Sequence, residues 1–383
     1  MKTLAVSTTN GRFEKDMAAL HDISPQLCIV FADRDCFADE TFLTAMKSLG
    51  DQAHVIGCSS AGEISAQGVS SGHASILALH FETTEVKCAT AALAEAPQSF
   101  EAGRQIAEVL IAKPGLKGVF ILSPGLNVNG SAVAKGLHSL IPPEVKVTGG
   151  LAGDRTDFNQ TQTFLDGALY SDRIVAFGLY GDDIVIGSGS RGGWRPFGPS
   201  REVTRVENNV LYELDGKPAL DLYKTYLAEK ADELPASGLL YPLSIVDKDS
   251  QQATGLIRTI LNINEADKSL ILAGDLPLNC DVRLMHADID ALVEGSTAAA
   301  EEASFPQQGQ SPDVALMVSC VGRRLVMGHD VDEEIDVIVE KFGAGCAYAG
   351  FYSYGELSPF GDKKKTELHN QTMTITTLYE RTA

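Results

Sequence analysis

Along this chain, short uninterrupted apolar runs alternate with stretches of helical period, and one such unit recurs three times. Residues 28–32, 119–123 and 314–320 read as buried strands, because a short continuous apolar run leaves no face for water. Helical period follows each of them, at 38–49, 131–140 and 332–342. The third helix has Asp330 or Asp332 as a candidate N-cap, acids in its first turn and Gly343 just past its end, which suits both capping and the helix dipole. A second strand then closes on a glycine turn followed by an acid: GCSSAGE at 57–63, GGLAGD at 149–154 and GFYSYGE at 350–356. One more apolar strand completes each unit, at 75–81, 174–180 and 372–379, the last with period-two alternation. A weak internal β-α-β-β repeat of this kind predicts an α/β (α+β) protein whose mixed sheets carry helices on their outer faces.

Between the second and third units the pattern changes. Residues 187–198 are rich in glycine and hold the sole tryptophan, Trp194, with Pro196 and Pro199 close by; they read as a turn-rich connection. The boundary placed there divides the chain into domains 1–200 and 201–383. A helical pattern covers 208–227, interrupted at Pro218, a second helix is expected over 287–303, and 305–312 reads as a surface loop.

Composition narrows the function classes. The chain has 383 residues, 44% of them hydrophobic, enough for a substantial core and two domains. Its formal charge of -20 repels phosphate backbones and anionic lipid, which argues against nucleic-acid binding. The apolar stretch at the start is too short for a signal peptide and no later run reaches the ~20 residues that span a bilayer, so no membrane insertion and a cytoplasmic location are expected. Seven dispersed cysteines without a Cys-x-x-Cys pair indicate neither a disulfide framework nor a zinc knuckle.

Several motifs invite chemistry. Gly187, Gly189 and Gly192 match G-x-G-x-x-G with Glu207 at the distance of a ribose-binding acid, yet Pro196 and Pro199 deny them the helix that would receive a pyrophosphate. Glu63, Asp154 and Glu356 occupy equivalent turns, where an acid ordinarily bonds nearby backbone N–H groups; Glu356, preceded by Tyr352 and Tyr354, is the candidate exception. SCVGRR at 319–324 places Cys320, Arg323 and Arg324 at a strand end, where arginines can grip a carboxylate or pair with the acids at 332–334. In LHNQTM at 368–373, His369 is either a metal or haem ligand or, with Asn370, a structural pair. Arg258, alone in an apolar run, needs a core carboxylate or a ligand. No nucleophile and base are recognisable as a pair, so the expectation is a chain that does no chemistry of its own.

At these residues the chain resembles the FIST family. GCSSAGEI at 57–64 and GGLAGD are similar to its N-terminal domain; VLYELDGKPALDLY at 210–223, SCVGRRLVMG at 319–328, GFYSYGELSPF at 350–360 and LHNQTMTITTL at 368–378 are similar to its C-terminal domain. The resemblance implies an intracellular small-ligand sensor whose partner is a histidine kinase or a cyclic-di-GMP enzyme. Within the family it points to the nitric-oxide-sensing haemoproteins of the NosP group, with His369 as haem ligand and Arg258, Arg323 and Arg324 for propionates. Thr366 stands where many relatives carry a cysteine, which disfavours an iron–sulfur cluster. A metabolite sensor binding an amino acid through the same arginines and tyrosines is the alternative, and homodimer formation is left open.

Overall fold

The computed structural model describes the chain apart from residues 11–12, 51–52, 306–309, 362–364 and 382–383. The expected loop at 305–312 therefore lies partly outside the described residues.

The three units are present, and each builds one six-stranded sheet that the hairpin of another unit completes. The first sheet runs Lys2–Ser7, Ala74–His80, Leu27–Ala32, His54–Ser59 in hydrogen-bonded order, then takes the hairpin Thr163–Leu165 and Ala168–Tyr170 from the second unit. The second runs Glu85–Ala92, Arg173–Tyr180, Leu116–Ser123, Lys146–Leu151 and takes Gly355–Phe360 with Lys365–His369 from the third. The third runs Ile184–Arg191, Met373–Glu380, Val314–Cys320, Ala347–Ser353 and takes Glu63–Ser65 with Gly68–Ser70 from the first, closing the cycle. In every sheet the apolar run pairs in parallel with the strand that ends in the glycine turn. That pairing requires a crossover, which the helices Glu40–Leu49, Gly130–Leu137 and Glu333–Phe342 supply.

The sheets turn their apolar inner faces toward one another. Phe31 stacks on Phe351 at 4.7 Å between ring centroids and lies 6.5 Å from Phe120, which stacks on Phe177 at 5.6 Å. On these strands and on the neighbouring Ala74–His80 and Val314–Cys320, Ile29, Leu77, Leu122, Leu316 and Val318 are buried around this aromatic centre. The central strands are thus covered on both faces, by this core inside and by helices outside, which is why they read as continuous apolar runs.

Three expectations are corrected. The segment 187–198 is mostly strand: Ile184–Arg191 pairs along Met373–Glu380, and Arg195–Glu207 starts an inserted eight-stranded sheet that occupies 195–286. The glycines serve close packing, since a Cβ on Gly187 or Gly189 would meet the carbonyl oxygens of Ala303 or Ala299 at 2.2 and 2.1 Å. Helix Ile289–Ala303 lies directly against this strand, as its predicted span at 287–303 allows. The helical reading of 208–227 holds only from Ala219 to Leu227; Val210–Leu214 is a strand between two partners, bracketed by Asn208 and Asp215 at positive φ. Turn geometry at its two ends outweighed its ambiguous apolar period. Asp332 precedes the helix Glu333–Phe342 without a side-chain cap, and its carboxylate instead accepts from the Val69 N–H of the donated hairpin at 2.7 Å.

Removing the aromatic centre tests this packing. Phe31→Ala is expected to cost about 3–5 kcal/mol in urea unfolding, and Phe100→Ala, on an exposed helix face, within about 0.5 kcal/mol.

Candidate functional site

The three glycine turns meet at one end of the sheets and hydrogen-bond in a ring. Ala61 N–H donates to Tyr352 O and Tyr352 N–H to Gly62 O, both at 2.8 Å; Gly153 N–H donates to Ser59 O at 3.0 Å and Arg155 N–H to Ser60 O at 3.1 Å; Tyr354 N–H donates to Leu151 O at 3.1 Å. The acids after the turns are buried and satisfied nearby. Glu63 accepts from Ser60 Oγ at 2.5 Å, Ser70 Oγ at 3.3 Å and His73 N–H at 3.2 Å. Asp154 accepts from the Asn159 and Gln160 N–H groups at 2.8 and 2.6 Å and from the Tyr354 hydroxyl. Glu356 accepts from Ser353 Oγ at 2.6 Å and from Thr372 N–H and Oγ at 3.2 and 2.9 Å. Burial pushes the carboxyls of Glu63 and Glu356 up to about 7.

The short helix Val321–Met327 sends its two arginines in different directions. Arg323 is fully buried: its Nε and Nη2 donate to Glu334 Oε2 at 2.9 and 2.6 Å, Nη1 to Gly192 O at 2.5 Å, and Nη2 also to Leu292 O and Ser296 Oγ. Ser319 Oγ and the Tyr352 hydroxyl donate to the other oxygen of Glu334. A buried pair this fully bonded ties three elements together and offers nothing outward. Arg324 reaches over the Tyr352 ring, 5.6 Å from its centroid, to donate to Ala61 O and to Ser71 Oγ at 2.6 Å. Tyr354 stacks on Phe158 at 4.4 Å. Arg258 is buried and donates to the carbonyls of Asp275 at 2.7 Å, Ile257 at 3.0 Å and Leu368 at 3.1 Å; burial lowers its guanidinium to about 10.

Cys320 opens the short helix, and burial, with Glu356 nearby, pushes its thiol well up. His369 is buried, its Nε2 3.2 Å from Ser358 O and Phe360 packed edge-on at 5.5 Å; burial pulls its imidazole down to about 4. Asn370 beside it is buried, with Oδ1 unpartnered. A haem needs a slot for the macrocycle beside its ligand, and the ring of His369, buried with Nε2 against Ser358 O and Phe360 packed edge-on, leaves none. The haem expected from the resemblance therefore does not fit at His369, and Arg258 and Arg323, bonded inward, are not placed for propionates. Among the described residues no group of three or more His, Cys, Asp or Glu is arranged to hold a metal ion.

Open space lies on the other side of the short helix. A cleft of about 530 Å³ runs between it and the inserted sheet, lined by Phe197, Leu240, Tyr241, His286 and Ala287 on one wall and Leu325 and Val326 on the other. Phe197 and Leu325 are 45% and 42% exposed, unusual for large apolar side chains facing one another. Behind it sits Gln371, buried at φ 64°, with its Nε2 donating to Leu239 O at 2.8 Å, its side chain against Gly322, and its carbonyl accepting from Trp194 Nε1–H at 2.8 Å. One residue thus joins the inserted segment at Leu239, the short helix and, through the adjacent Thr372, the side chain of Glu356. The motif at 319–324 pointed to this helix, but the opposite wall escaped notice because Phe197 sits among glycines and prolines that read as a linker.

Comparison with known proteins agrees with the motifs. The FIST N domain model matches residues 26–217 and the FIST C domain model 219–359. Relatives include an uncharacterized protein of Mycobacterium tuberculosis, 26% identical over 222 residues and 57% of each chain, and one of Methanocaldococcus jannaschii, 24% identical over 231 residues, 55% of this chain and 41% of its own length. The chain thus matches 57% and 41% of the length of these two curated relatives. Among solved structures, two cyanuric acid hydrolases align over 100% and 99% of both chains, the first from A. caulinodans, with TM-scores of 0.36 and 0.31 and identities of 8% and 10%. The expectation of a chain without chemistry is corrected on this finding, since the full-length structural matches are enzymes; at these TM-scores no activity carries over from them. No described helix is long and apolar enough to cross a membrane.

Two outcomes follow from the buried acids. A carboxyl raised in the folded state contributes stability that is full below the unfolded value of about 4.5 and is lost as pH rises through about 7; for Glu356 this amounts to about 3 kcal/mol. Glu356→Gln should flatten the fall in urea stability between about pH 5 and 8. Glu334→Ala, by stranding Arg323, should cost about 3–5 kcal/mol in the same assay.

Proposed function

Because the chain belongs to the FIST family, whose domains are signalling sensor domains, we propose that it senses a small, largely apolar ligand held between the inserted sheet and the helix Val321–Met327. The observation that carries this reading is the cleft itself: its volume is in the range of small-molecule sites, its walls are apolar and aromatic, and His286 and Tyr241 stand within them as polar groups able to orient a ligand. A ligand touching both walls favours one seating of the inserted sheet over another. The shift is limited by the difference in its affinity for the two seatings.

Gln371 supplies the route from cleft to core. Any change in the distance between Leu239 and Gly322 strains its bonds, and with them the turn that Glu356 anchors through Thr372. A signalling partner, a histidine kinase or cyclic-di-GMP enzyme in the reading the resemblance favours, then responds to the altered surface. A metabolite bearing an apolar or aromatic body with one polar end suits these walls better than a haem.

Trp194 makes the idea measurable, because the sole tryptophan donates to the same Gln371 carbonyl. A ligand found by thermal shift should change Trp194 fluorescence and, at about 100 times its Kd, stabilise the fold by about 2.7 kcal/mol. Leu325→Glu should abolish both responses and leave the unliganded melting temperature nearly unchanged. Undiminished binding by Leu325→Glu would remove the cleft from the account.

A further inference from the structure

Gln371 and Thr372 share a peptide group that is hydrogen-bonded to a side chain at each end. Its carbonyl accepts from Trp194 Nε1–H at 2.8 Å, and its N–H, on Thr372, donates to Glu356 Oε2 at 3.2 Å. A buried acid and the sole tryptophan thus stand one peptide unit apart. A line of hydroxyls leads from the same acid toward the surface. Thr372 Oγ1 donates to Glu356 Oε2 at 2.9 Å and lies 3.4 Å from Thr374 Oγ1, which lies 2.8 Å from Ser190 Oγ. Thr372 and Thr374 are buried, whereas Ser190 is half-buried on the strand Ile184–Arg191, its N–H donating to Glu302 at 3.3 Å. In both links between hydroxyls either oxygen can donate, so the line can run in either direction.

We infer that this arrangement is a proton sensor: Glu356 exchanges a proton with water through Thr372, Thr374 and Ser190, and the Gln371–Thr372 peptide passes its charge state to Trp194 and the seat of the inserted sheet. When water delivers a proton to Ser190, each hydroxyl accepts one proton and passes on its own, and Glu356 Oε2 gains one. The hydroxyls, which had pointed toward the carboxylate, then point away from it. Release runs the same steps backward, and no further reactant enters. The 3.4 Å link is the longest and limits the rate. While Glu356 is ionised, the pull on Thr372 N–H polarises the peptide and makes its carbonyl the stronger acceptor for Trp194; once Glu356 is neutral, that pull is lost. Trp194 packs with Ile257 and Met285 of the inserted sheet and with Leu292 and Met327 of the three-unit body, so its bond bears on how the two are held together.

The groups around Glu356 leave it as the one that changes charge near neutrality. His369 lies opposite it on the strand Lys365–His369; burial, with Arg258 and Arg191 nearby, pulls that imidazole down to about 4, so it stays neutral. On its other side the strand Lys146–Leu151 presents Gly150. Burial pushes the Cys320 thiol, at the end of the strand Val314–Cys320, well up, so it also stays neutral. Arg323, on the short helix, is held by Glu334, and its charge favours the carboxylate. Burial outweighs that charge and the three donors, and holds the Glu356 carboxyl up at about 7.

The test is Trp194 emission of the full chain, without added ligand, titrated from about pH 5 to 9. One transition centred at about 7 is expected, and Glu356→Gln should abolish it. Glu63→Gln should keep it, although that acid titrates in the same range at another turn. His286→Gln, at the histidine in register with Arg195 beside Trp194, should keep it too. In a stopped-flow jump across the midpoint, Thr374→Val should slow relaxation by about tenfold or more and leave the midpoint in place, because exchange then waits for local opening. Melting temperatures confirm that each variant folds. Should Glu356→Gln not fold, infrared difference spectra of Glu63→Gln over the same range should show a protonated carboxyl band lost in step with the change in Trp194 emission. A transition that survives in folded Glu356→Gln, vanishes in His286→Gln or runs out of step with the carboxyl band overturns the sensor. An unchanged rate in Thr374→Val overturns the hydroxyl route. None of these results bears on ligand binding beside Leu325.

Discussion

The backbone hydrogen bonds that join the three glycine turns are the constraint from which most of the architecture follows. A unit of this kind leaves the open edge of its second strand unpaired, and an unpaired buried edge carries the cost of unsatisfied N–H and C=O groups. Each unit covers that edge with the hairpin of another, so the three sheets close into a cycle. The turns must cross one another for the hairpins to reach their hosts. Their crossing brings Gly62, Gly153 and Gly355 together with the buried acids that follow them.

Burial of those acids is a consequence of the crossing, and their local bonds make it tolerable. Glu63 and Glu356 each receive three donors, one from a serine three residues before the acid and two from farther along the chain, so Glu356 is held in the same way as Glu63. The Arg323–Glu334 pair has a related role farther from the turns, tying the short helix to the helix Ile289–Ala303 and to Tyr352 in the ring. With the polar groups of the strand ends engaged in this way, space for a ligand remains where the inserted sheet rests against the short helix.

The insertion changes what the third unit can do. Its first strand, Ile184–Arg191, is separated from its helix Ile289–Ala303 by the inserted sheet, whereas in the second unit the strand Glu85–Ala92 is followed closely by the helix Ser99–Ile111. The inserted sheet has its own core around Leu211, Leu220, Leu243, Leu270 and Val282, and it meets the three-unit body through Trp194, Gln371 and the cleft. Two separately packed bodies can each keep their core while the contact between them changes, which is what the proposed sensing would use.

The sequence by itself determined the threefold repetition, the strand and helix of each unit and the helices outside the sheets, since continuous apolar runs and helical period record how many faces of an element are covered. It also carried the family through long motifs at 57–64, 319–328 and 350–360. Tertiary structure alone decided which hairpin joins which sheet, because a strand edge has no signature of its partner. It turned Arg323 and His369 inward, showed 210–214 to be strand where the apolar period was ambiguous, and made wall of Phe197 where glycine and proline had read as linker. It also brought His54 and Asp166 together across 112 residues of separation. Hydrogen bonds between residues so far apart depend on the closed cycle of hairpins, and no local spacing encodes them.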